Sequence, residues 1–174
     1  MKYIVKFFVI TFFIFHFTHT FAEGKIVFIN MDYILNQSKS GKSAQNQLEK
    51  LHKSNLDYLN KIENKLKNEE KDILSKKNIL KKEEFEAQIA KLREDAREYQ
   101  SSRVKLTNEL TQKRIKVTKK ILDELKPILA KYIEEETISV ILDKKNVIVG
   151  KINLDITETI IKKLDNKLPE IKIN

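Results

Sequence analysis

Few side chains in this sequence could carry out chemistry. The chain has no Cys, which excludes catalytic thiols, disulfides and Cys-based zinc sites. Beyond residue 22 it has a single imidazole, His52, which follows Leu51 in a highly charged segment and has no second His or Cys to act with. We therefore interpret His52 as a surface residue rather than a catalytic or metal-binding one.

One short motif resembles the end of a phosphate-binding loop. Residues 41–43, Gly-Lys-Ser, follow a predicted strand and open a predicted helix, but the loop also needs a Gly five positions earlier, where Asn36 stands. We interpret Gly41 as a helix junction. Two pairs of carboxylates lie at helical spacing, Glu69 with Asp72 and Glu94 with Glu98, and they are predicted to form intrahelical ion pairs with the Lys residues around them. The sequence predicts no catalytic, cofactor or metal site, and hence no enzyme.

The N-terminal segment, residues 1–22, has the features of a secretory signal peptide. Lys2 and Lys6 accompany an apolar run over residues 7–17, and Thr20-Phe21-Ala22 offers small residues for signal peptidase. The alternative, an uncleaved anchor, needs about 20 apolar residues, roughly twice the length of this run. A lipoprotein would need a Cys where Glu23 stands. We predict cleavage after Ala22 and a soluble mature protein, residues 23–174, outside the cytoplasm.

A long helical hairpin is predicted for the middle of the chain. Residues 42–126 contain neither Gly nor Pro. Apolar residues recur there at helical spacing in two series, the first being Leu48, Leu51, Leu59, Ile62, Leu66, Ile73 and Leu80. The second series is Phe85, Ile89, Leu92, Ala96, Tyr99, Arg103, Leu106, Leu110, Lys113 and Val117. Ser, Asn and Lys in residues 75–82 place the reversal there. A single long helix is the alternative, but the heptad phase slips between Leu80 and Phe85. Pro127 should kink the second arm.

Both chain ends are predicted to form a small head. Strand-like runs cover residues 26–29, 138–142 and 147–149, the last two being joined as a hairpin, and a helix from about 155 to 168 ends before Pro169. The fold class is mostly α with a small β head (α+β): a coiled-coil arm, residues 42–134, inserted into an oligomerisation head, residues 23–41 and 135–174. Strands apolar on both faces need cover, so we expect the heads to associate, whereas the alternative is a monomer with a loose head. The predicted contact residues are Ile26, Phe28, Val140, Leu142 and Val147.

The arm carries all of the mature protein's net positive charge. Residues 42–134 have 23 basic and 16 acidic side chains, whereas the two head segments are each neutral. Lysines cluster at the predicted tip, where we take Lys76, Lys77, Lys81 and Lys82 as a candidate surface that attracts anionic partners. A solvated helix surface without such a partner is the alternative interpretation.

Two stretches of sequence resemble a known family. Residues 24–32, Gly-Lys-Ile-Val-Phe-Ile-Asn-Met-Asp, with residues 34–36, 40–44 and 48–49, resemble the mature start of OmpH-family periplasmic chaperones, the Skp-like group. Residues 140–149, followed by Asp155-Ile156-Thr157, resemble the closing signature of that family. Together the two ends cover about a third of the mature chain.

This resemblance implies a homotrimer whose three arms surround a cavity. It implies a periplasmic, ATP-independent holdase that binds unfolded outer-membrane β-barrel proteins. An anionic lipid or lipopolysaccharide is a further partner suggested by the family, but the arm residues do not align with its proposed site, so no residues are assigned to it.

Two other functions remain open from the residues alone. A basic coiled coil could bind an anionic surface or nucleic acid, although the predicted secretion, mixed charge and few aromatic rings give no reason to expect nucleic acid. The chain could also be a structural periplasmic spacer, for which the length of the arms is the only support.

Overall fold

The computed structural model describes residues 24–173, so the predicted signal peptide lies outside the described residues. Two strands are present, β1 at Lys25–Ile29 and β2 at Ile138–Asp143. The helices are α1 at Met31–Gln37, α2 at Lys39–Ser75, α3 at Lys82–Glu135 and α4 at Thr157–Lys167. Short 3₁₀ turns lie at Lys144–Asn146 and Ile152–Leu154. The fold is mostly helical with a small strand pair, as predicted.

Helices α2 and α3 form the predicted hairpin. They contain 37 and 54 residues, which corresponds to about 55 and 80 Å at 1.5 Å per residue. The chain leaves α2 at Ser75, whose hydroxyl donates a hydrogen bond to the Asp72 carbonyl at 2.8 Å, and α3 begins at Lys82. The predicted reversal within residues 75–82 is therefore confirmed, and the alternative of a single long helix is wrong. Pro127 lies inside α3, as the sequence indicates.

The seam between the arms differs from the prediction at two positions. The predicted positions Ala96 and Arg103 are exposed, whereas Asp95 and Ser102, one residue earlier in each case, are half-buried. The inward-facing positions therefore run 92, 95, 99, 102 and 106, in steps of three and four. The apolar pattern predicted Ala96 because its neighbour Asp95 is charged. The register of the helix is instead fixed by Leu92, Tyr99 and Leu106 on either side. The middle of the seam is consequently more polar than its ends.

A short helix between β1 and the arm was not predicted. The Asn30 side chain caps α1 by accepting a hydrogen bond from the Tyr33 amide at 2.9 Å, and Ser38 caps α2 in the same way for the Gly41 amide at 3.1 Å. A Cβ on Gly41 would lie 2.0 Å from the Leu35 carbonyl oxygen. Close packing of α1 on α2 therefore explains this Gly without a phosphate site.

The two strands pair in parallel, with Ile26 opposite Val140 and Phe28 opposite Leu142. The helical arm is the long crossover that a parallel pair requires. The predicted hairpin between residues 138–142 and 147–149 is wrong, because the segment after β2 turns away as a 3₁₀ turn capped by the Asp143 carboxylate, which accepts from the Lys145 amide at 3.2 Å. Residues 147–149 form no strand and lead to Gly150, where a Cβ would lie 2.7 Å from the Phe28 ring.

The core is built where the roots of the arm helices meet the head. It combines β1 and α4 with the root of α3 and includes Val27, Val117, Ile121, Leu125, Ile160 and Leu164. Residues on both sides of the predicted boundary at residue 135 therefore share one core. Helix α4 agrees with the predicted closing helix.

The chain continues after α4 along the root of α2. Ile171 is only 1% exposed. The Gln47 side chain donates to the Ile171 carbonyl at 2.6 Å and accepts from the Ile173 amide at 3.1 Å. The C-terminal segment is thus held to the arm both by hydrogen bonds to its backbone and by burial.

Candidate functional surfaces

The outer face of the strand pair brings together four of the predicted head residues. Side chains two apart on a strand share a face, so Ile26 and Phe28 of β1 lie beside Val140 and Leu142 of β2. Three of them remain open to solvent in the single chain: Ile26 is 53% exposed, Val140 43% and Leu142 40%. The opposite face, with Val27 and Ile29, is buried in the core.

Phe28 differs from its three neighbours because it is only 7% exposed. The loop through Gly150 approaches one side of its ring, and the Lys144 ammonium lies 5.9 Å from the ring centre. Phe28 therefore belongs to the head's own packing, whereas Ile26, Val140 and Leu142 form an uncovered apolar patch.

The loop after β2 adds a second group of exposed aliphatic residues. The predicted site residue Val147 is half-buried, but Ile148 is 100% exposed, Val149 89% and Ile152 90%. The sequence analysis missed these three as surface residues because it assigned the first two to a buried strand. The only sign of them in the sequence is that they are aliphatic and lie on either side of Gly150, shortly after the residues that form the 3₁₀ turn. We call Ile26, Val140, Leu142, Ile148, Val149 and Ile152 the head patch.

The four predicted lysines lie together at the arm tip, and all are exposed. Lys76 pairs with Asp72 and Lys82 lies 4.0 Å from Glu86, each within its own arm. Within residues 24–173, Lys77 and Lys81 form no ion pair. The tip also exposes two aliphatic residues, Leu74 at 54% and Ile79 at 81%. The tip is thus both basic and partly apolar.

One hydrogen bond, to a carboxylate that is ion-paired within α2, links the two arms halfway along. Lys67 donates to Glu63 at 2.6 Å, and the Tyr99 hydroxyl of α3 donates to the other oxygen of Glu63 at 3.2 Å. The Lys67 ammonium, and to a smaller extent the hydrogen bond from Tyr99, holds the pKa of the Glu63 carboxyl below its ordinary range. The carboxylate is therefore charged at neutral pH and joins the two helices.

The carboxylate of Asp155 connects the start of α4 to the 3₁₀ turn after β2, and the neighbouring Ile156 amide reaches β1. It accepts hydrogen bonds from Lys144 at 2.7 Å and from the Thr157 amide at 3.1 Å, while the Ile156 amide donates to the Phe28 carbonyl at 3.0 Å. Burial alone would raise the pKa of the Asp155 carboxyl, but the hydrogen bonds from Lys144 and Thr157 outweigh it and keep the pKa below its ordinary value.

Lowering the pH should therefore weaken the head through Asp155. Because the folded pKa lies below the unfolded one, the stabilisation is complete above the unfolded pKa and is lost as the pH falls through the folded pKa. We expect the free energy of unfolding to drop from neutral pH to about pH 3, and Asp155→Asn to reduce that drop. Urea unfolding of both proteins at the two pH values measures the difference. An identical pH dependence would contradict the assignment, because other carboxylates are common to both proteins.

Other candidate chemistry finds little support in the described part of the chain. His52 is exposed on α2, as expected, at the edge of a crevice that also includes Glu49 and Arg114. Within residues 24–173 no group of three His, Cys, Asp or Glu side chains is placed to hold a metal ion. None of the helices in this part is both long and apolar enough to cross a bilayer.

Known proteins resemble this chain in sequence and in fold. A solved structure from Caulobacter crescentus CB15, assigned as an outer membrane chaperone (OmpH-like), superposes with a TM-score of 0.82 at 22% identity, and the match covers 90% of this chain and 93% of that one. None of the curated proteins matches this chain significantly. The family model for OmpH-like outer membrane proteins matches residues 25–164, from the first residue of β1 to the last turn of α4. The chain therefore belongs to the OmpH-like family.

Proposed function

We propose that the mature protein is a periplasmic holdase chaperone that binds unfolded outer-membrane β-barrel proteins without ATP and prevents their aggregation. Membership of the OmpH-like family supports a chaperone role. The observation that carries the proposal is the arm itself: two long helices, with a basic and largely exposed surface, project from a small head. Such an arm offers a large surface for weak, distributed contacts.

The chemistry of the client fits this surface. Unfolded barrel strands alternate apolar and polar residues and aggregate unless they are kept apart. Basic arms concentrate acidic chains through screened attraction, and weak contacts let the client leave again. A bound nucleotide is not required for either step.

We further propose that three copies associate through their heads, so that the arms surround a cavity. The head patch supports this, because six aliphatic side chains are 40% or more exposed in the single chain. In the described part of the chain the outer edge of β2 is also open to pairing with another copy, whereas the Ile156 amide already binds the outer edge of β1 at Phe28. Association would cover the patch and the edge of β2 together.

The holdase activity is tested by diluting a denatured outer-membrane barrel protein into buffer with the purified mature protein at near-stoichiometric ratio, without ATP. We expect light scattering to stay low, and to rise when the protein is omitted or replaced by an equally basic globular protein. Scattering that rises equally in all three samples would overturn the proposal and favour a structural spacer.

The charge of the tip should affect the rate of capture. Reversing Lys76, Lys77, Lys81 and Lys82 to Glu should slow association, because electrostatic steering acts on encounter more than on the final complex. Capture by the unchanged protein should also weaken with salt, since the Debye length falls from about 10 Å at 0.1 M to about 3 Å at 1 M. Stopped-flow binding of a labelled client measures both effects. Equal rates and a flat salt dependence for both proteins would leave the lysines as a solvated surface only.

Contact with an anionic lipid surface is a second candidate for the tip. The observation that favours it is Ile79, which is 81% exposed among four exposed lysines. Lysines attract anionic headgroups, and an exposed aliphatic side chain can enter the interface. Co-sedimentation with vesicles, with and without anionic lipid, tests it: binding should require the anionic lipid and fall for Ile79→Ser. No residues are proposed for a lipopolysaccharide site.

A further inference from the structure

The segment that follows α4 lies outside the part of the chain that the family model matches. We call residues 168–173 the tail, and the family match ends at residue 164. Pro169 comes two positions after the last residue of α4 and does not continue the helix. The tail instead runs along the root of α2 and forms neither helix nor strand. Its role in this protein therefore has to be argued from its own contacts.

Side chains of α2 hold the tail by its main chain. The Gln47 carboxamide donates to the Ile171 carbonyl at 2.6 Å and accepts from the Ile173 amide at 3.1 Å. These two main-chain groups point to the same side of an extended segment, so the carboxamide stands where one residue of a neighbouring strand would stand. The Ser43 hydroxyl also donates to the Ile171 carbonyl, at 3.3 Å. The tail is thus bound to α2 as an extended segment.

The side chains of the tail alternate between buried and exposed. Ile171 is 1% exposed and belongs to the core of the head, Ile173 packs against that core, and Lys172 between them is exposed. The two residues before Ile171 are exposed as well. The tail is therefore attached by one fully buried side chain and a few hydrogen bonds, whereas α3 and α4 each contribute several buried residues to the core. A segment attached in this way opens before the core does.

The two helices of the arm are anchored to the head in different ways. The root of α3 contributes five large side chains to the buried core: Val117, Ile121, Leu125, Ile128 and Tyr132. Among the described residues of α2, only Ala44 belongs to that core, and a methyl group buries little apolar area. Helix α3 is thus anchored by its own side chains, whereas α2 depends on contacts from other parts of the chain.

The C-terminal part of the chain supplies those contacts. The Asp165 carboxylate of α4 accepts a hydrogen bond from the amide of Lys39, the first residue of α2, at 2.7 Å. Ser43 and Gln47, which bind the tail, follow Lys39 at steps of four. Residues four apart lie above one another on a helix. The first turns of α2 are therefore tied to α4 and the tail along one face, once in each turn.

We propose that the tail is a detachable strap that fastens the root of α2 to the head. When the tail leaves its place, the first turns of α2 become mobile, while the root of α3 stays packed in the core. The base of the arm is then a joint with one fixed helix and one releasable helix. This inference goes beyond the proposed function and depends neither on client binding nor on assembly.

The test uses full-length tails in protein of residues 23–174, with substitutions at two neighbouring positions. Ile171→Asp places a carboxylate where the side chain is 1% exposed, so the tail should leave because an unpaired charge is not tolerated there. The matched control is Lys172→Asp, at a position where the side chain is exposed and the tail can stay bound. Gln47→Leu is a milder variant that removes both hydrogen bonds of the carboxamide to the tail.

Amide hydrogen exchange measures where each variant opens. We expect Ile171→Asp to speed exchange in residues 42–52 of α2 by about tenfold or more, and in residues 117–132 of α3 by about twofold or less. Gln47→Leu should give the same pattern with a smaller effect, and Lys172→Asp should leave both segments unchanged. Circular dichroism first shows which variants are folded, and if Ile171→Asp unfolds the head, the comparison uses Gln47→Leu.

A distance measurement checks the same motion directly. Spin labels are attached through Asn46→Cys on α2 and Lys120→Cys on α3, both of them exposed positions near the root of the arm. Releasing the tail should broaden the distribution of distances between the labels, in samples diluted with unlabelled protein. Exchange that speeds up equally in α2 and α3 would mean that the tail is one part of a single cooperative core. Exchange that stays unchanged in α2 would mean that α2 is held without the tail, and either result overturns the inference.

Discussion

A protein of residues 23–174 that carries Val140→Asp should sediment as a monomer at micromolar concentration, whereas the same protein without the substitution should sediment as a trimer. Val140 lies in the middle of the head patch and is 43% exposed in the single chain, so an Asp there can reach water as long as the chain is alone. In an assembly that covers the patch, the same carboxylate would be buried without a partner, which costs several kcal/mol per subunit. The assembly should therefore dissociate while each chain stays folded.

Two further variants separate assembly from folding. Leu74→Asp places the same charge on an aliphatic residue that is 54% exposed at the arm tip, and it should leave the mass unchanged. Phe28→Asp should instead unfold the head, because Phe28 is only 7% exposed in the chain itself. Sedimentation equilibrium and circular dichroism together distinguish the three results. A monomer mass for the unmodified protein would overturn the proposed trimer, and a trimer for Val140→Asp would show that the head patch is not its interface.

The arms could be predicted from the sequence because their signals are local. Residues 42–126 lack Gly and Pro and carry apolar residues in two series at helical spacing. Such a segment forms either a long helix or a helical hairpin. The reversal was located by Ser75 and Asn78 among lysines, and the structure places it there. The prediction of which α3 residues face the seam was wrong only at Ala96 and Arg103. The seam is polar there, so the spacing of apolar residues does not indicate the register.

The head was harder to predict because its structure depends on contacts between distant parts of the chain. Two aliphatic runs separated by a short polar stretch look like a hairpin, yet β2 pairs in parallel with β1, which lies at the other end of the chain. Helix α1 depends on the Asn30 cap, and the Asn30 amide itself donates to the Thr157 hydroxyl at 2.8 Å. The cap with Tyr33 is local, but no local window contains both strands or both Asn30 and Thr157.

The candidate surfaces could be predicted only as residue types. Ile26, Phe28 and Val140 look alike in the sequence, but Phe28 alone is covered, by the loop that ends at Gly150. Likewise Ile148 and Val149 are apolar enough for a strand and yet are almost fully exposed beside it. Hydrophobicity indicates that a residue will be covered, but whether its own chain or another molecule covers it depends on the tertiary structure.

The root of α3 provides the second large expected effect. Leu125 is 1% exposed in the shared core, whereas Leu106 is half-buried in the seam of the arm. Leu125→Ala should lower the free energy of unfolding by about 3 kcal/mol, because the substitution leaves a cavity among residues that cannot collapse into it. Leu106→Ala makes the same chemical change where water already reaches the side chain, and should cost about 1 kcal/mol.

The two substitutions should also differ in which elements of the structure lose local stability. Leu125 packs in one core with Val27 of β1 and Ile160 of α4, so its loss should speed amide hydrogen exchange in both of those elements, although each lies far from residue 125 in the sequence. Leu106→Ala should speed exchange only in the neighbouring turns of α2 and α3. Urea unfolding at one fixed protein concentration gives the free energies, since assembly would otherwise shift the apparent stability. The two variants could instead lose equal free energies of unfolding, or Leu125→Ala could leave amide exchange in β1 and α4 unchanged. Either result would mean that the head is stable without the root of the arm, contrary to the packing around Leu125.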